Sequence, residues 1–230
     1  MRQIDQSLNL FAPAKLNLNL QVLSKDKDSF HFIKSHICFL RLYDFINLKV
    51  NRSSFVVVDK KNSRFLLDEE TILKTTINLF KERFKWNKNF KITLIKNIPI
   101  GAGLGGGSSD AASLLLGLRR LYNQENAYKV SIEDLLNIGK QIGSDVSACI
   151  YGRSLIATGK GEKILISNVP KNKNFLILFP DISVSTRKIY QCFDQKKYKN
   201  IFVNYFDNIK VINSLLPVVC YIKPEINQIL

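Results

Sequence analysis

Residues 16–23, Leu-Asn-Leu-Asn-Leu-Gln-Val-Leu, alternate apolar and polar side chains, which is the period of a half-buried strand. Residues 45–50 and 55–59, Phe-Ile-Asn-Leu-Lys-Val and Phe-Val-Val-Val-Asp, read the same way. Thr71–Phe84 changes period: Ile72, Leu73, Ile77, Phe80 and Phe84 recur at helical spacing, so this stretch predicts an amphipathic helix. Residues 90–100 return to a strand pattern that should stop at Pro99. A second helix is expected from about Ser109 to Tyr122. A third opens with Ser131 and Asp134 in capping-box spacing and closes at Gly143. Residues 154–166 predict two strands around a glycine-containing turn. Residues 173–180 predict a buried strand ending at Pro180, and from there to Leu230 helix-like pieces alternate with polar spacers. The pattern is that of an α+β protein. A composition shift near Pro170–Lys173 divides it into residues 1–170 and 171–230.

The chain has 230 residues, 46% apolar and 23% charged, enough apolar side chain for a sizeable core. The net charge of +15 is high, but lysines are scattered throughout and form no stripe interleaved with aromatics. We read most of that charge as solvated surface and expect no nucleic-acid partner. Cys38, Cys149, Cys192 and Cys220 lack the spacing of a metal knuckle or a redox pair, so free thiols in a reducing compartment are expected. No positive-then-apolar leader opens the sequence and no apolar run is long enough to span a bilayer. A cytoplasmic protein without a membrane partner is the expectation. The two histidines, His31 and His36, do not make a zinc site alone, and no metal ligand is assigned.

The strongest chemical signal is Pro-Ile-Gly-Ala-Gly-Leu-Gly-Gly-Gly-Ser-Ser-Asp at residues 99–110. Five of the eleven glycines, Gly101, Gly103, Gly105, Gly106 and Gly107, stand directly before a predicted helix. Glycine permits positive φ and close approach of the backbone to a ligand. A helix N-terminus behind such a loop aims free N–H groups and the positive end of the dipole at one spot, which suits phosphate. Ser108 and Ser109 add hydroxyls. No Gly-Lys-Ser/Thr follows, so this is not a Walker A loop. Gly101, Gly103 and Gly106 fit Gly-x-Gly-x-x-Gly, but that fingerprint belongs on the first turn of a parallel βαβ unit, and here it follows mostly β sequence. The competing structural reading is a tight turn with close helix–strand packing.

Residues 99–112 resemble the phosphate-binding motif of the GHMP small-molecule kinases. Three further stretches agree in order: Ala-Pro-Ala-Lys-Leu-Asn-Leu-Asn-Leu at 12–20, Ser-Phe-His-Phe-Ile at 29–33 and Ile-Gly-Ser-Asp-Val-Ser-Ala-Cys-Ile at 142–150. The resemblance covers about residues 8–190. It implies the GHMP fold: a ribosomal-protein-like α+β domain followed by a ferredoxin-like domain, here incomplete because the family's C-terminal glycine-rich turn does not occur before Leu230. It also implies ATP and magnesium as cofactors. Asp145 matches the aspartate that takes the proton from the substrate hydroxyl, and Lys15 matches the lysine beside it. A carboxylate within reach can accept that proton, and a nearby ammonium favours its ionised form. Phosphate contacts are implied for Pro99, Gly101, Gly103, Leu104, Gly105, Gly106, Gly107, Ser108 and Ser109, with Lys96 on the nucleotide side.

Within the family the sequence most resembles the branch acting on a cytidine diphosphate-linked methylerythritol in non-mevalonate isoprenoid synthesis. In that branch cytosine stacks between aromatics matching Phe30 and Tyr190 and is hydrogen-bonded by the segment of His31. Asn17 and Thr186 match residues near the rest of that small-molecule substrate, which also meets Asp145. Ser29 stands where the family has Gly, and Phe30 where it has Tyr. Taken singly, Lys15 reads as a solvated strand lysine, Asp145 as a helix cap and the two aromatics as core. The alternatives are a GHMP kinase for another small alcohol, a catalytically impaired relative, and a basic nucleic-acid-binding domain of related fold. Oligomeric state is left open.

Overall fold

The computed structural model describes residues 7–25, 30–59, 66–167, 174–180, 182, 184–194, 202–206 and 209–229. They form two compact units.

The first unit takes residues through Lys15, then Phe39–Ile98 and Gly105–Gly152. It holds the first part of β1 (Ser7–Lys25), the second part of β2 (His31–Asn51), β3 (Phe55–Asp59), α1 (Leu66–Phe84), β4 (Asn89–Ile95), α2 (Gly106–Glu125), α3 (Ile132–Ile142) and α4 (Val146–Tyr151). Its strand order is β3-β4-β2-β1. β4 runs antiparallel to β2, with Ile46 opposite Leu94 and Leu48 opposite Ile92. β3 and β4 are parallel, a pairing that needs a long crossover, and α1 supplies it. Alternation puts Phe90, Ile92 and Leu94 of β4 on the buried face. Against that face pack Leu73, Ile77 and Phe80 of α1 and Leu114, Leu115, Leu118 and Leu121 of α2. The α3 boundaries follow the expectation. Ser131 Oγ accepts from the Asp134 N–H at 3.1 Å, the Asp134 carboxylate accepts from the Ser131 N–H at 2.9 Å, and Gly143 closes the helix.

The second unit takes Leu16–Cys38, Pro99–Leu104 and the chain from Arg153 on. β5 (Leu155–Gly159) pairs antiparallel with β2 and with β6 (Lys163–Ile166), which is the expected hairpin, turning through Gly159 and Gly161 at φ +72° and +105°. After α5 (Thr186–Asp194) come β7 (Phe202–Phe206), β8 (Ile209–Asn213) and α6 (Leu216–Ile222). β8 is antiparallel to β7 and parallel to β1, Leu20 facing Asn213.

Four expectations are corrected. The buried strand over 173–180 does not form: residues 174–180 have no regular structure, and Leu176 and Leu178 are 86% and 63% exposed. An apolar run becomes a strand only beside a partner, and none pairs with it among the described residues. The β7–β8 hairpin lies where only helical pieces were expected, because strands of five residues are too short for periodicity to separate them from helix. β1 begins nine residues before the predicted Leu16, running through Pro13. β4 stops at Ile95 rather than Pro99. No described helix is long and apolar enough to cross a membrane.

Candidate functional site

β4 hands the chain to a loop that enters α2. Gly101, Gly103 and Gly105 each take positive φ, at 76°, 73° and 67°, a region that costs a residue with a side chain on the order of 1–2 kcal/mol. Gly106 and Gly107 belong to the first turn of α2 instead of the loop, so the helix starts three residues before the expected Ser109. Packing of Ala111, Ala112, Leu114 and Leu115, all fully buried, fixes the helix and overrides the poor helix propensity of its first two residues.

Gly105 is the N-cap and has no side chain to cap with. The Ser109 N–H makes the first intrahelical bond, to the Gly105 carbonyl at 2.9 Å. The N–H groups of Gly106, Gly107 and Ser108 therefore lack an intrahelical acceptor, and the first turn carries no acidic side chain. The positive end of the helix is left for an anion.

Lys15 lies alongside this turn. A Cβ built on Gly105 would stand 2.6 Å from Lys15 Cγ and 3.0 Å from its Cε. Glycine is thus demanded twice at 105, by φ and by space. A Cβ on Gly103 would meet nothing within 4 Å, so the backbone there is open to a close-approaching group. The Lys15 side chain is only 8% exposed, and its Nζ is 3.0 Å from Asp145 Oδ2. Asp145 occupies the N-cap position of α4 but makes no side-chain cap bond. Its carboxylate is turned to Lys15 and is 37% exposed. Behind the pair sits buried Cys149. Burial and the Asp145 charge push this thiol well above its usual range, and the Lys15 ammonium offsets them only in part. It is a neutral packing group beside a charged pair.

Lys96 is held between two fully buried carboxylates, with Nζ 2.6 Å from Asp44 Oδ2 and 2.8 Å from Asp110 Oδ2. Asp44 Oδ1 also accepts the N–H groups of Asn97 and Ile98, at 2.6 and 2.8 Å. Asp44 thereby fixes both the lysine and the start of the loop. Sequence reasoning missed both aspartates. Asp44 had a signal: it stands on the same face of β2 as the core residues Ile46 and Leu48, where the alternation calls for an apolar side chain.

In the second unit, Phe30 is 60% exposed, not core, and Lys160 Nζ lies 4.6 Å from its ring centroid. His31 and Tyr190 are together, ring centroids 4.9 Å apart. His31 Nε2 is 2.6 Å from Asp194 Oδ1, a partner also missed, although Tyr190 and Asp194 lie four residues apart on α5 and hence on one helix face. Thr186 is the exposed first residue of α5 and Asn17 is half-buried on β1.

The sequence model of the GHMP kinases N terminal domain matches residues 71–153, which contain the glycine turn and Asp145. A 4-diphosphocytidyl-2-C-methyl-D-erythritol kinase of Bacillus velezensis is 40% identical over 180 residues, 78% of this chain and 61% of that protein. Its counterpart in Clostridioides difficile is 36% identical over 193 residues, 84% of this chain and 64% of that protein. Residues 71–153 therefore carry the GHMP kinases N terminal domain. A crystal structure of 4-(cytidine 5'-diphospho)-2C-methyl-D-erythritol kinase superposes with a TM-score of 0.73 at 26% identity, over 96% of this chain and 81% of that one. The α+β architecture described above is accordingly the GHMP fold. The chain spans 61% and 64% of the lengths of the two curated relatives.

Proposed function

We propose that the chain is a GHMP kinase, an ATP-dependent enzyme that phosphorylates the 2-hydroxyl of 4-diphosphocytidyl-2-C-methyl-D-erythritol, in the non-mevalonate route to isoprenoid precursors. The observation that carries the proposal is the Lys15–Asp145 pair, 3.0 Å apart, with the stem of Lys15 against Gly105 at the uncapped N-terminus of α2. A proton acceptor, a cation and an anion cradle in one unit are the parts that phosphoryl transfer to an alcohol needs.

Asp145 accepts the proton of the substrate hydroxyl as that oxygen attacks phosphorus. Its exposure leaves room for an alcohol beside it. Lys15 orients the carboxylate and stabilises negative charge as it develops. Gly103, Gly105, Gly106, Gly107, Ser108 and Ser109 receive the phosphates, with Pro99, Gly101 and Leu104 shaping the approach and Lys96 bracing the loop from below. Bound ATP supplies the phosphoryl group. Among the described residues no three His, Cys, Asp or Glu side chains cluster around a metal position. Magnesium bound with the nucleotide would neutralise phosphate charge at this turn, and the hydroxyls of Ser108 and Ser109 would be the side chains offered to it or to its waters.

The exposed face of Phe30 offers a flat surface to a pyrimidine, and His31 and Tyr190 form the polar and aromatic remainder of that end, with Asn17 and Thr186 nearer the polyol and diphosphate. Cytidine nucleotides are the discriminating ligands. CDP is expected to raise the thermal midpoint of the chain, with homoserine and mevalonate ineffective. Protection by either alcohol, and none by CDP, would move the assignment to another GHMP substrate.

Gly105→Val tests the cradle. The branched side chain must adopt positive φ and displace Lys15, so ATP affinity is expected to fall by more than about tenfold. A titration giving wild-type affinity would reduce the loop to a structural turn.

A further inference from the structure

The free N–H groups at the start of α2 are backed by a buried charge cluster. A Cβ built on Gly106 would stand 3.1 Å from Lys96 Nζ, 3.3 Å from Ile98 Cγ2 and 3.5 Å from Asp44 Oδ2. The first residue of α2 is thus seated directly on the cluster. Asp110 joins it from the helix side. It stands four residues after Gly106, on the same helix face, and its Oδ2 is 2.8 Å from Lys96 Nζ. Asp44 Oδ2 takes the same ammonium from β2 at 2.6 Å, while Asp44 Oδ1 accepts the N–H groups of Asn97 and Ile98. Both aspartate side chains are fully buried and that of Lys96 is 8% exposed. One ammonium therefore joins three parts of the first unit: β2, the residues that lead into the glycine loop, and the first turns of α2.

Stability alone does not account for such a cluster. The desolvation of buried charges can exceed the attraction between them, and apolar side chains of similar volume often give equal or greater stability. Apolar packing, however, is non-directional, whereas hydrogen bonds from one nitrogen to two carboxylates fix distance and direction. Direction matters here. The N–H groups of Gly106, Gly107 and Ser108 serve a phosphate only if the turn that carries them holds its place beside Lys15 and Asp145, and a small displacement is costly.

We infer that Asp110 is a positioning residue for phosphate binding: through Lys96 it ties the first turns of α2 to Asp44, and so sets the anion cradle without touching the nucleotide. Lys96, expected on the nucleotide side, is the bridge of this tether and does not contact the base. The inference rests on the phosphate reading of the α2 N-terminus, and its test keeps the two apart.

Isothermal titration of the 230-residue chain with ATP, and with tripolyphosphate in competition with ATP, separates the phosphates from the base. Asp110→Ala should weaken both ligands by the same factor, about tenfold or more. The direction is informative. With both aspartates ionised, the substitution removes a negative charge from beneath the cradle, and charge alone would tighten both ligands. Asp110→Asn keeps the size and an acceptor for the Lys96 ammonium, and should recover most of the loss. Trp86 fluorescence reports whether each variant is folded. Where Asp110→Ala does not fold, Lys96→Ala carries the test: propylammonium matches the deleted atoms, and adding it should restore affinity for both ligands. Unchanged or tighter binding in folded Asp110→Ala overturns the inference. So does weakening confined to ATP, which would put the cluster against the base. A loss in Asp110→Asn as large as in Asp110→Ala, or a loss in Lys96→Ala that propylammonium leaves unaltered, overturns it too. In each of these cases the phosphate reading stands. A wild-type chain that binds neither ATP nor tripolyphosphate overturns that reading, and the inference with it.

Discussion

Asp145→Asn is expected to lower the phosphoryl-transfer rate by about a thousandfold while ATP still binds. The amide preserves the size of the side chain and its place at the start of α4, but it cannot take a proton from an alcohol. It also removes the negative partner from Lys15, whose side chain is 8% exposed and whose ammonium is 3.0 Å away. The substitution leaves the α2 N-terminus and the glycine turn as they are, so the ATP dissociation constant should change by no more than a few-fold. Single-turnover rates with saturating ATP, alongside an ATP titration, separate the two effects. A variant that turns over at near wild-type rate would remove Asp145 from the reaction and leave Lys15–Asp145 as a structural ion pair.

Asp44→Ala is expected to be the most destabilising change in the first unit, by about 3–5 kcal/mol. It strips one carboxylate from the buried Lys96 ammonium and leaves the Asn97 and Ile98 N–H groups without the oxygen they share. Removing one member of a buried charged cluster costs more than the net worth of the pair, because the survivor stays desolvated. Asp110 remains beside Lys96 and limits the loss. Trp86, the single tryptophan, is buried in the same core, so its fluorescence during urea unfolding reports on this unit. Asp44→Asn, which keeps an acceptor for the backbone, should lose less. A loss under about 1 kcal/mol in Asp44→Ala would mean that the cluster relaxes or hydrates freely. Because Asp44 ties down the residues that lead into the glycine loop, ATP affinity should fall with stability.

How much of this was legible in the sequence depended on whether the signal was local. α3 was readable end to end because a capping box and a terminal glycine are written in consecutive residues. The glycine turn was readable because positive φ at 101, 103 and 105 leaves little choice of residue. Lys15 and Asp145 were not legible from their own surroundings. Each has an ordinary bland reading, and 130 residues separate them; the resemblance brought them to attention and the fold brings them within 3.0 Å. What failed was what depends on distant partners. Residues 174–180 are apolar but find no strand to pair with among the described residues. Lys96 entered through the resemblance, and its pairing with Asp44, 52 positions away, is written in no local pattern. Asp194 went unread because its role exists only beside His31, 163 positions away. The boundary expected near residues 170–173 falls in a segment outside the described residues, and the compact units are assembled from interleaved stretches that no composition shift could reveal.

On the proposed function, the Lys15–Asp145 pair beside the N-terminus of α2 supports phosphoryl transfer from ATP to a cytidine-linked alcohol. The direct measurement is 31P NMR of the 230-residue chain incubated with ATP, magnesium and 4-diphosphocytidyl-2-C-methyl-D-erythritol. The proposed function requires ADP and a new phosphomonoester signal in equal amounts, both lost in Asp145→Asn. ADP without the phosphomonoester, or a phosphomonoester that persists undiminished in Asp145→Asn, would contradict it.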